Sequence, residues 1–204
     1  METKDKILKA ARELFFKYGI KSITMDDIAK HIAISKKTIY QFFANKDELI
    51  TAMTDLSLLH KQIQINAVAD DSRDAIQEIM ETMKHMRQMF SQMNPNLFYD
   101  MQKYHPKAWE QFVKFKESFI ITIIEKNLRK GIKQGVFRKN IDIKILSKLR
   151  VEEVEMALNP AIFSPDDYNL TQVQIALLDH FLHGIATSKG HELINKYKQD
   201  EKMR

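Results

Sequence analysis

The sequence has 204 residues, of which 44% are hydrophobic and 29% are charged, and this composition is typical of a folded globular protein. It contains no cysteine, which excludes disulfides, thiolate nucleophiles and cysteine-bound zinc. The net charge of +5 comes from one end, because residues 1–46 hold ten Lys or Arg against five Asp or Glu, whereas residues 47–204 hold 22 of each. A basic head indicates a polyanionic partner, although lysine-rich surfaces are often merely solvated.

The N-terminal segment Met1 to Arg12 is charged and lacks the apolar core of a signal peptide. The most apolar stretch, Phe119 to Ile124, is six residues long, whereas a membrane-spanning helix needs about 20. We therefore expect a cytoplasmic protein without a membrane span.

The N-terminal part of the chain predicts three short helices and the start of a fourth. Apolar residues at steps of three or four predict the first helix near residues 4–18. Thr24, with Asp27 three residues later, has the spacing of a capping box and opens the second helix. Ser35 is expected to cap the third, and Asn45 to start a long helix that runs towards residue 64.

Longer helices are predicted beyond residue 70, and no stretch alternates like a half-buried strand. Thr171 and Gln174 have capping-pair spacing and are expected to open the last of them. The predicted helices lie near residues 72–93, between Pro95 and Pro106, and near residues 107–133, 142–158 and 171–188 or beyond. The fold class is therefore all-α.

The second and third helices, joined by a turn of three or four residues, have the layout of a helix-turn-helix. At 100° per residue, one side of the third helix is apolar through Ile39 and Phe43. The opposite side is polar and basic, which suits the major groove of DNA. The residues of this polar side are Lys37, Tyr40, Gln41 and Ala44, flanked by Lys36 and Thr38.

The segment TMDDIAKHIAISKKTIYQFFANKDEL, from Thr24 to Leu49, resembles the helix-turn-helix signature of the TetR family of transcriptional regulators. The run GIKQGVF from Gly131 to Phe137 also agrees with that family. The resemblance implies an N-terminal three-helix DNA-binding domain (1–46) and a larger C-terminal helical domain (47–204) for ligand binding and dimerisation. The residues that it places against phosphates or bases are Thr24, Ser35, Lys36, Lys37, Thr38, Tyr40 and Lys46.

Among these contacts, Tyr40 and Lys46 are expected to anchor phosphates, and Gln41 to hydrogen-bond a base edge. Three positions depart from the family pattern. Ala33 stands at the common turn glycine, Lys37 at a frequent glycine, and Phe42 where His or Tyr is frequent. Ala33 reduces the conformational freedom of the turn, and Phe42 removes a polar contact.

Methionines and aromatic residues are concentrated between residues 80 and 119. Such side chains at helical spacing usually form a core, but they also line pockets for apolar ligands. The resemblance implies that a ligand cavity lies among these helices, and both interpretations remain open. The candidate pocket residues are Met83, Met86, Phe90, Tyr99, Tyr104, Trp109, Phe112 and Phe115.

The resemblance also implies a homodimer whose interface is formed by the last two long helices, residues 142–158 and 171–189. A single short recognition helix reads too few bases to be selective, so two copies on a two-fold axis are expected on a palindromic operator. The candidate interface residues are Leu146, Leu149, Leu178, Phe181, Leu182 and Ile185.

Two other site types were considered. His180 and His183, one helical turn apart beside Asp179, could hold a metal, but a pair without a third ligand is more often structural. The sequence contains no phosphate-cradling glycine loop and no nucleophile elbow, so we expect no catalytic residues, metal or cofactor.

The sequence thus predicts a DNA-binding transcriptional regulator, a repressor that a small, mainly apolar effector releases from double-stranded operator DNA. Two alternatives remain. A non-specific architectural DNA-binding protein would show salt dependence with little sequence preference. A helical enzyme or partner-binding module would not bind DNA.

Overall fold

A computed structural model describes residues 2–202, and within this range the regular structure is helical apart from an isolated bridge between Phe137 and Ala186. The helices are α1 (Thr3–Tyr18), α2 (Met25–His31), α3 (Lys36–Phe42), α4 (Lys46–Asp71), α5 (Ala75–Gln92), α6 (Leu97–Tyr104), α7 (Pro106–Phe115), α8 (Ile121–Lys133), α9 (Ile143–Leu158), α10 (Leu170–Ile185) and α11 (Ser188–Lys202). A π-helical segment, Lys116–Ile120, lies between α7 and α8. The predicted all-α fold class is confirmed. Among these described helices, none combines the length and the apolar character needed to cross a lipid bilayer.

The chain forms two compact units. Unit 1 contains the residues up to Lys61 together with Gln92–Phe115, and unit 2 contains Gln62–Ser91 and the residues from Lys116 onward. The segment 1–46, predicted as the DNA-binding domain, therefore lies in unit 1 together with α6 and α7.

The core of unit 1 is built by one apolar side of each of its short helices. Ile7 and Phe15 of α1 are fully buried with Ile28 of α2, Ile39 of α3 and Leu49 of α4. Met101 of α6 and Ala108 of α7 belong to the same buried cluster. Burial of apolar side chains on this scale fixes α2 and α3 against α1, so that the remaining sides of these helices face solvent.

Unit 2 has its own core, in which α8 and α10 contribute Leu128 and Leu182. Phe137, which follows α8, is fully buried. Its ring lies over Gly131, where an added Cβ would be 2.0 Å from the ring. Gly135, between them, has a φ of +72°, which a residue with a side chain rarely adopts. The run GIKQGVF is thus a tight turn that folds Phe137 back onto α8.

Three predicted helix boundaries were wrong. The fourth helix extends to Asp71 rather than ending near residue 64. The cap of α10 is Asn169, whose side chain accepts a hydrogen bond from the Gln172 N–H, rather than Thr171.

The third wrong boundary separates α10 from α11, which were predicted as one helix. Ala186 is extended, with φ −72° and ψ 151°. It lies in the bridge with Phe137, where the Arg138 N–H donates to the Ile185 carbonyl and the Thr187 N–H donates to the Val136 carbonyl. These long-range hydrogen bonds replace the helical ones and end α10.

Candidate nucleic-acid interface

The second helix begins at the predicted capping box. The Asp27 N–H donates to Thr24 Oγ1 (3.2 Å), and the Thr24 N–H donates to Asp27 Oδ2 (2.8 Å). The hydrogen bonds from the side chain and main chain of Thr24 lower the pKa of Asp27, so its carboxylate stays ionised. This arrangement satisfies two N–H groups that the helix start would leave unpaired and fixes the direction in which α2 leaves the preceding loop.

The turn between α2 and α3 places Ala33 in the left-handed region, with φ +55°. The Ile34 N–H reaches back to the Ala29 carbonyl at 3.0 Å, which closes the turn. Ser35 then caps α3 as predicted, since its Oγ accepts the Thr38 N–H at 3.0 Å and lies 2.8 Å from Thr38 Oγ1. The turn is therefore of the helix-turn-helix type, formed with alanine where glycine is common.

The third helix directs its apolar side into the core of unit 1. Ile39 and Phe43 are buried in unit 1. On the opposite side, Lys37, Tyr40 and Gln41 are exposed, and no hydrogen bond or ion pair within the described residues engages their side chains. These three side chains offer an ammonium, a phenol and a carboxamide to an external partner, and these groups suit phosphates and base edges.

Three other predicted contact residues, Thr24, Lys36 and Thr38, are engaged locally at the surface. Lys36 Nζ lies 3.4 Å from Asp26 Oδ1 of α2, with both side chains exposed. An exposed ion pair contributes only about 0–1 kcal/mol, so Asp26 does not withhold Lys36 from a phosphate. The hydroxyls of Thr24 and Thr38 are hydrogen-bonded to their capping partners.

Lys46 differs from the other predicted contacts because its ammonium turns inward. Lys46 Nζ donates a hydrogen bond to the Ile20 carbonyl (2.5 Å) and lies 5.5 Å from the centre of the Phe15 ring. Burial is the main reason that the pKa of Lys46 is lowered. A phosphate contact would require the ammonium to leave the Ile20 carbonyl, so the assignment of Lys46 as a phosphate anchor stays a prediction.

Sequence analysis missed the attachment of α6 to the loop that precedes α2. The buried carboxylate of Asp100 accepts the Lys21 N–H at 3.2 Å. His105 Nδ1 lies 2.5 Å from Oδ1 of Asp47, which is in the first turn of α4. The partners are more than 50 residues apart in the sequence, and the only available signal was a carboxylate in the otherwise apolar start of α6.

Comparison with known proteins agrees with this geometry. A sequence model of the family described as bacterial regulatory proteins, tetR family, matches residues 7–53, from α1 into the first turns of α4. Residues 7–53 are thus those of a tetR-family DNA-binding segment. The predicted DNA-binding transcriptional regulator is thereby confirmed, and the family is one of regulators rather than enzymes.

Curated relatives of this chain are named as transcriptional regulators of the helix-turn-helix type. The HTH-type transcriptional regulator YvaF of Bacillus subtilis is 21% identical over 82% of this chain and 88% of its own length. The HTH-type transcriptional regulator TtgR of Pseudomonas putida is 33% identical over 45% of this chain and 43% of its own. Among solved structures, reduced Escherichia coli NemR has a TM-score of 0.74 at 14% identity, covering 92% of this chain and 98% of its own. At such identity the structural likeness establishes the fold.

The candidate pocket residues are divided between the two units. In unit 1, Tyr99 and Tyr104 are each 45% exposed, whereas the rings of Trp109 and Phe112 lie 5.3 Å apart and pack against the core. Phe115, at the end of α7, is half-buried. In unit 2, Met83 and Phe90 are buried, and Met86 packs against the core. The eight residues do not form one cluster within either unit, and the ligand cavity stays a prediction.

The candidate interface residues are mostly enclosed by their own chain. Leu178, Phe181, Leu182 and Ile185 are buried in the core of unit 2. Leu146 is half-buried against the same core, and Leu149 is exposed. The four buried side chains are thus unavailable to a partner, because the apolar stripe of α10 packs inward. The apolar surface that remains on α9 is formed by Leu149 and by Ile145, which was not among the candidates.

The two candidate metal-binding histidines do not converge. His180 is exposed, and His183 directs Nδ1 to the main-chain carbonyl of Asp179 at 2.8 Å. The ring of His183 lies 5.3 Å from that of His191. Within the part of the chain that the structure describes, no three His, Cys, Asp or Glu residues are grouped as metal ligands.

Proposed function

We propose that this protein is a cytoplasmic repressor without catalytic activity, which binds a palindromic operator as a homodimer and leaves it when a small, mainly apolar effector binds. The observation that carries the proposal is the outward side of α3, where Lys37, Tyr40 and Gln41 are exposed and unpaired among the described residues. We further propose that residues 1–46 bind the DNA and that residues 47–204 bind the effector and dimerise.

Recognition is assigned to different atoms of α3. The carboxamide of Gln41 can donate to and accept from one base edge in the major groove. The ammonium of Lys37 and the hydroxyl of Tyr40 suit phosphate oxygens, which fix the position of the helix without reading sequence. Ile39 and Phe43 support this role because they hold α3 in one orientation.

Dimerisation is supported by the exposed apolar side of α9. Ile145 and Leu149 are 65% and 45% exposed and lie one helical turn apart. Leu149 also lines an open groove of about 370 Å³ within unit 2, together with Met156 and Ile162. Apolar side chains along one outer side of a helix are stabilised when a second copy covers them, and the two-fold axis would place two α3 helices on successive half-sites.

Release by an effector is inferred from proteins of similar fold. Solved structures at 16–21% identity include a complex of SmeT with triclosan and one of Bacillus subtilis FadR with stearoyl-CoA. Both of those ligands have large apolar parts. We extend this property to the present chain, where methionine and aromatic side chains in α5 to α7 can adapt to an apolar molecule.

The test is selection of binding sites from random duplex DNA by the full chain. The expected product is a palindrome whose half-sites lie about one helical turn, or a multiple of it, apart. Enrichment of DNA without a shared sequence would favour the architectural alternative, and no enrichment would exclude a DNA-binding function. The double variant Lys37→Ala/Gln41→Ala is the matched control, since both substitutions are at exposed positions and should leave the fold intact.

The same duplex then tests release. An effector that lowers operator affinity must bind the free protein more tightly than the DNA complex, by the same factor in both directions. Titration of triclosan with and without the duplex measures this factor. Equal affinity in both states, repeated across a broad library of apolar compounds, would contradict effector-driven release.

A further inference from the structure

Two lysines and two tyrosines, from the loop before α2 and from α6, form an exposed cluster on unit 1. We name it the lysine–tyrosine surface, and its members are Lys21, Tyr99, Lys103 and Tyr104. Lys103 Nζ lies 3.0 Å from Tyr99 Oη, 5.3 Å from the centre of the Tyr99 ring and 5.4 Å from that of Tyr104. Lys21 Nζ lies 6.0 Å from the centre of the Tyr104 ring.

The surface belongs to the same compact unit as the recognition helix. The Lys21 N–H binds Asp100 of α6, and His105, which follows α6, contacts Asp47 in the first turn of α4. Lys46, the first residue of α4, donates to the carbonyl of Ile20. The loop before α2, the start of α4 and the end of α6 are therefore in contact with one another. The start of α4 follows α3 closely in the sequence.

The surface is cationic, and part of its hydrogen-bonding capacity is unused. Hydrogen bonds to Tyr99 and then Tyr104 raise the pKa of Lys103, so its ammonium stays charged. Two of its three N–H donors are directed to Tyr99 and Tyr104, which leaves one for another acceptor. The carboxylates of Asp100 and Asp47 are directed to other partners, the Lys21 N–H and His105 Nδ1.

We propose that the lysine–tyrosine surface binds the sugar–phosphate backbone of duplex DNA outside the base pairs that α3 reads. Lysine ammonium and tyrosine hydroxyl groups are ordinary partners of phosphate oxygens, and the two ammonium groups complement the negative charge of the DNA backbone. The inference rests on the proposed function, since it extends the DNA-binding surface of unit 1 from α3 to the loop before α2 and to α6.

The experiment compares the wild type with Lys21→Gln/Lys103→Gln on two duplexes that carry the selected operator. One ends at the operator, and the other extends it by about ten base pairs, one helical turn, on each side. Each phosphate contact contributes about 0.9 to the slope of log affinity against log salt concentration. On the extended duplex, the slope of the variant should therefore be smaller than that of the wild type by about 1.8 per protomer. Between about 50 and about 200 mM salt, the affinity of the variant should fall about tenfold less per protomer than the affinity of the wild type. On the short duplex the two proteins should match.

The control is Lys126→Gln/Lys139→Gln, which removes the same charge from exposed positions of unit 2. A loss of slope equal to that of the control would mean a general charge effect and would overturn the inference. If the variant had the same slope as the wild type on the extended duplex, the inference would also be overturned. The proposed function would still stand in that case, provided that the wild type binds the operator. If the wild type bound no duplex, the proposed function would fail first. Lys103→Gln alone, with half the effect, serves as a second variant if melting shows that the double variant is destabilised.

A partner other than DNA gives a different result. If the surface bound an acidic protein segment, its variant would keep the wild-type salt slope on both duplexes, and the inference would be wrong. A loss of slope that is equal on both duplexes would place the contact within the operator and would overturn the assignment to flanking phosphates.

Discussion

Lys46 Nζ donates a hydrogen bond of 2.5 Å to the main-chain carbonyl of Ile20. This contact joins the first residue of α4 to the loop between α1 and α2, and it uses an ammonium that the sequence alone had assigned to a phosphate. Two roles are therefore possible for Lys46, and they differ in what its loss changes.

Lys46→Ala should lower the free energy of unfolding by about 1 kcal/mol, the net value of a charged hydrogen bond reduced for partial exposure. Lys37→Ala should leave stability unchanged and reduce the salt slope of operator binding by about one. Urea unfolding and binding at several salt concentrations measure the two quantities. If Lys46→Ala reduced the slope without loss of stability, Lys46 would be a phosphate anchor after all.

Gln41→Ala should weaken binding to the selected operator by about 1–3 kcal/mol and relax the preference at one base pair of each half-site, because the carboxamide is exposed and unpaired within the described residues. The salt slope should stay the same. Competition binding with operators substituted at each position measures the preference. Equal weakening on every sequence would show that Gln41 reads no base.

Ala33→Gly should stabilise the protein by about 0.5 kcal/mol. The left-handed conformation of Ala33, with φ +55°, costs a residue with a side chain about 1 kcal/mol, and glycine removes this cost at the expense of a more flexible unfolded chain. Thermal melting measures the effect. The control is Ala67→Gly at an exposed helical position in α4, which should instead destabilise by about 1 kcal/mol. A loss of stability in both variants would contradict the assigned strain.

Ile145→Glu/Leu149→Glu should weaken the homodimer and leave unit 2 folded, because both side chains are exposed on α9. Leu182→Glu should instead unfold unit 2, with a loss of about 3 kcal/mol or more, since it buries a charge in the core. Sedimentation and circular dichroism separate the two outcomes. A fully dimeric Ile145→Glu/Leu149→Glu protein would place the interface elsewhere.

Tyr197→Phe should remove one late-titrating phenol. Tyr197 Oη donates to Asp74 Oδ2 at 2.5 Å, and burial followed by this hydrogen bond raises the pKa of Tyr197 to about 12. The neutral phenol is favoured in the folded state, so its stabilisation of about 1 kcal/mol is present below the ordinary pKa of about 10 and is lost between about 10 and about 12.

Phenolate absorbance measured against pH distinguishes this group from the other five tyrosines. The variant should lack the last step of the titration, and its deficit in unfolding free energy should shrink as the pH rises above 10. If the phenol lost in the variant titrated at the ordinary pKa of about 10 instead, the contact with Asp74 would not form in solution.

The features that could be predicted from the sequence have local causes. At the caps of Thr24 and Ser35, for example, the side-chain oxygen accepts a hydrogen bond from an N–H group three residues later. The partner of Lys46 could not be predicted in this way, because it is a main-chain carbonyl that any residue would supply. The apolar stripe through Phe181 predicted that these side chains would be buried. It could not predict whether they would pack against their own chain or against a second copy. Long-range packing decides these cases.

The close packing of the Phe137 ring over Gly131 can help to align the sequences of distant relatives. The ring occupies the space of a side chain at residue 131, so the two positions share one fixed volume and are expected to change together, a larger residue at one being accompanied by a smaller residue at the other. In a relative of low overall identity, two positions six residues apart that obey this rule would mark the end of α8. They fix the register from which the helices on either side can be compared.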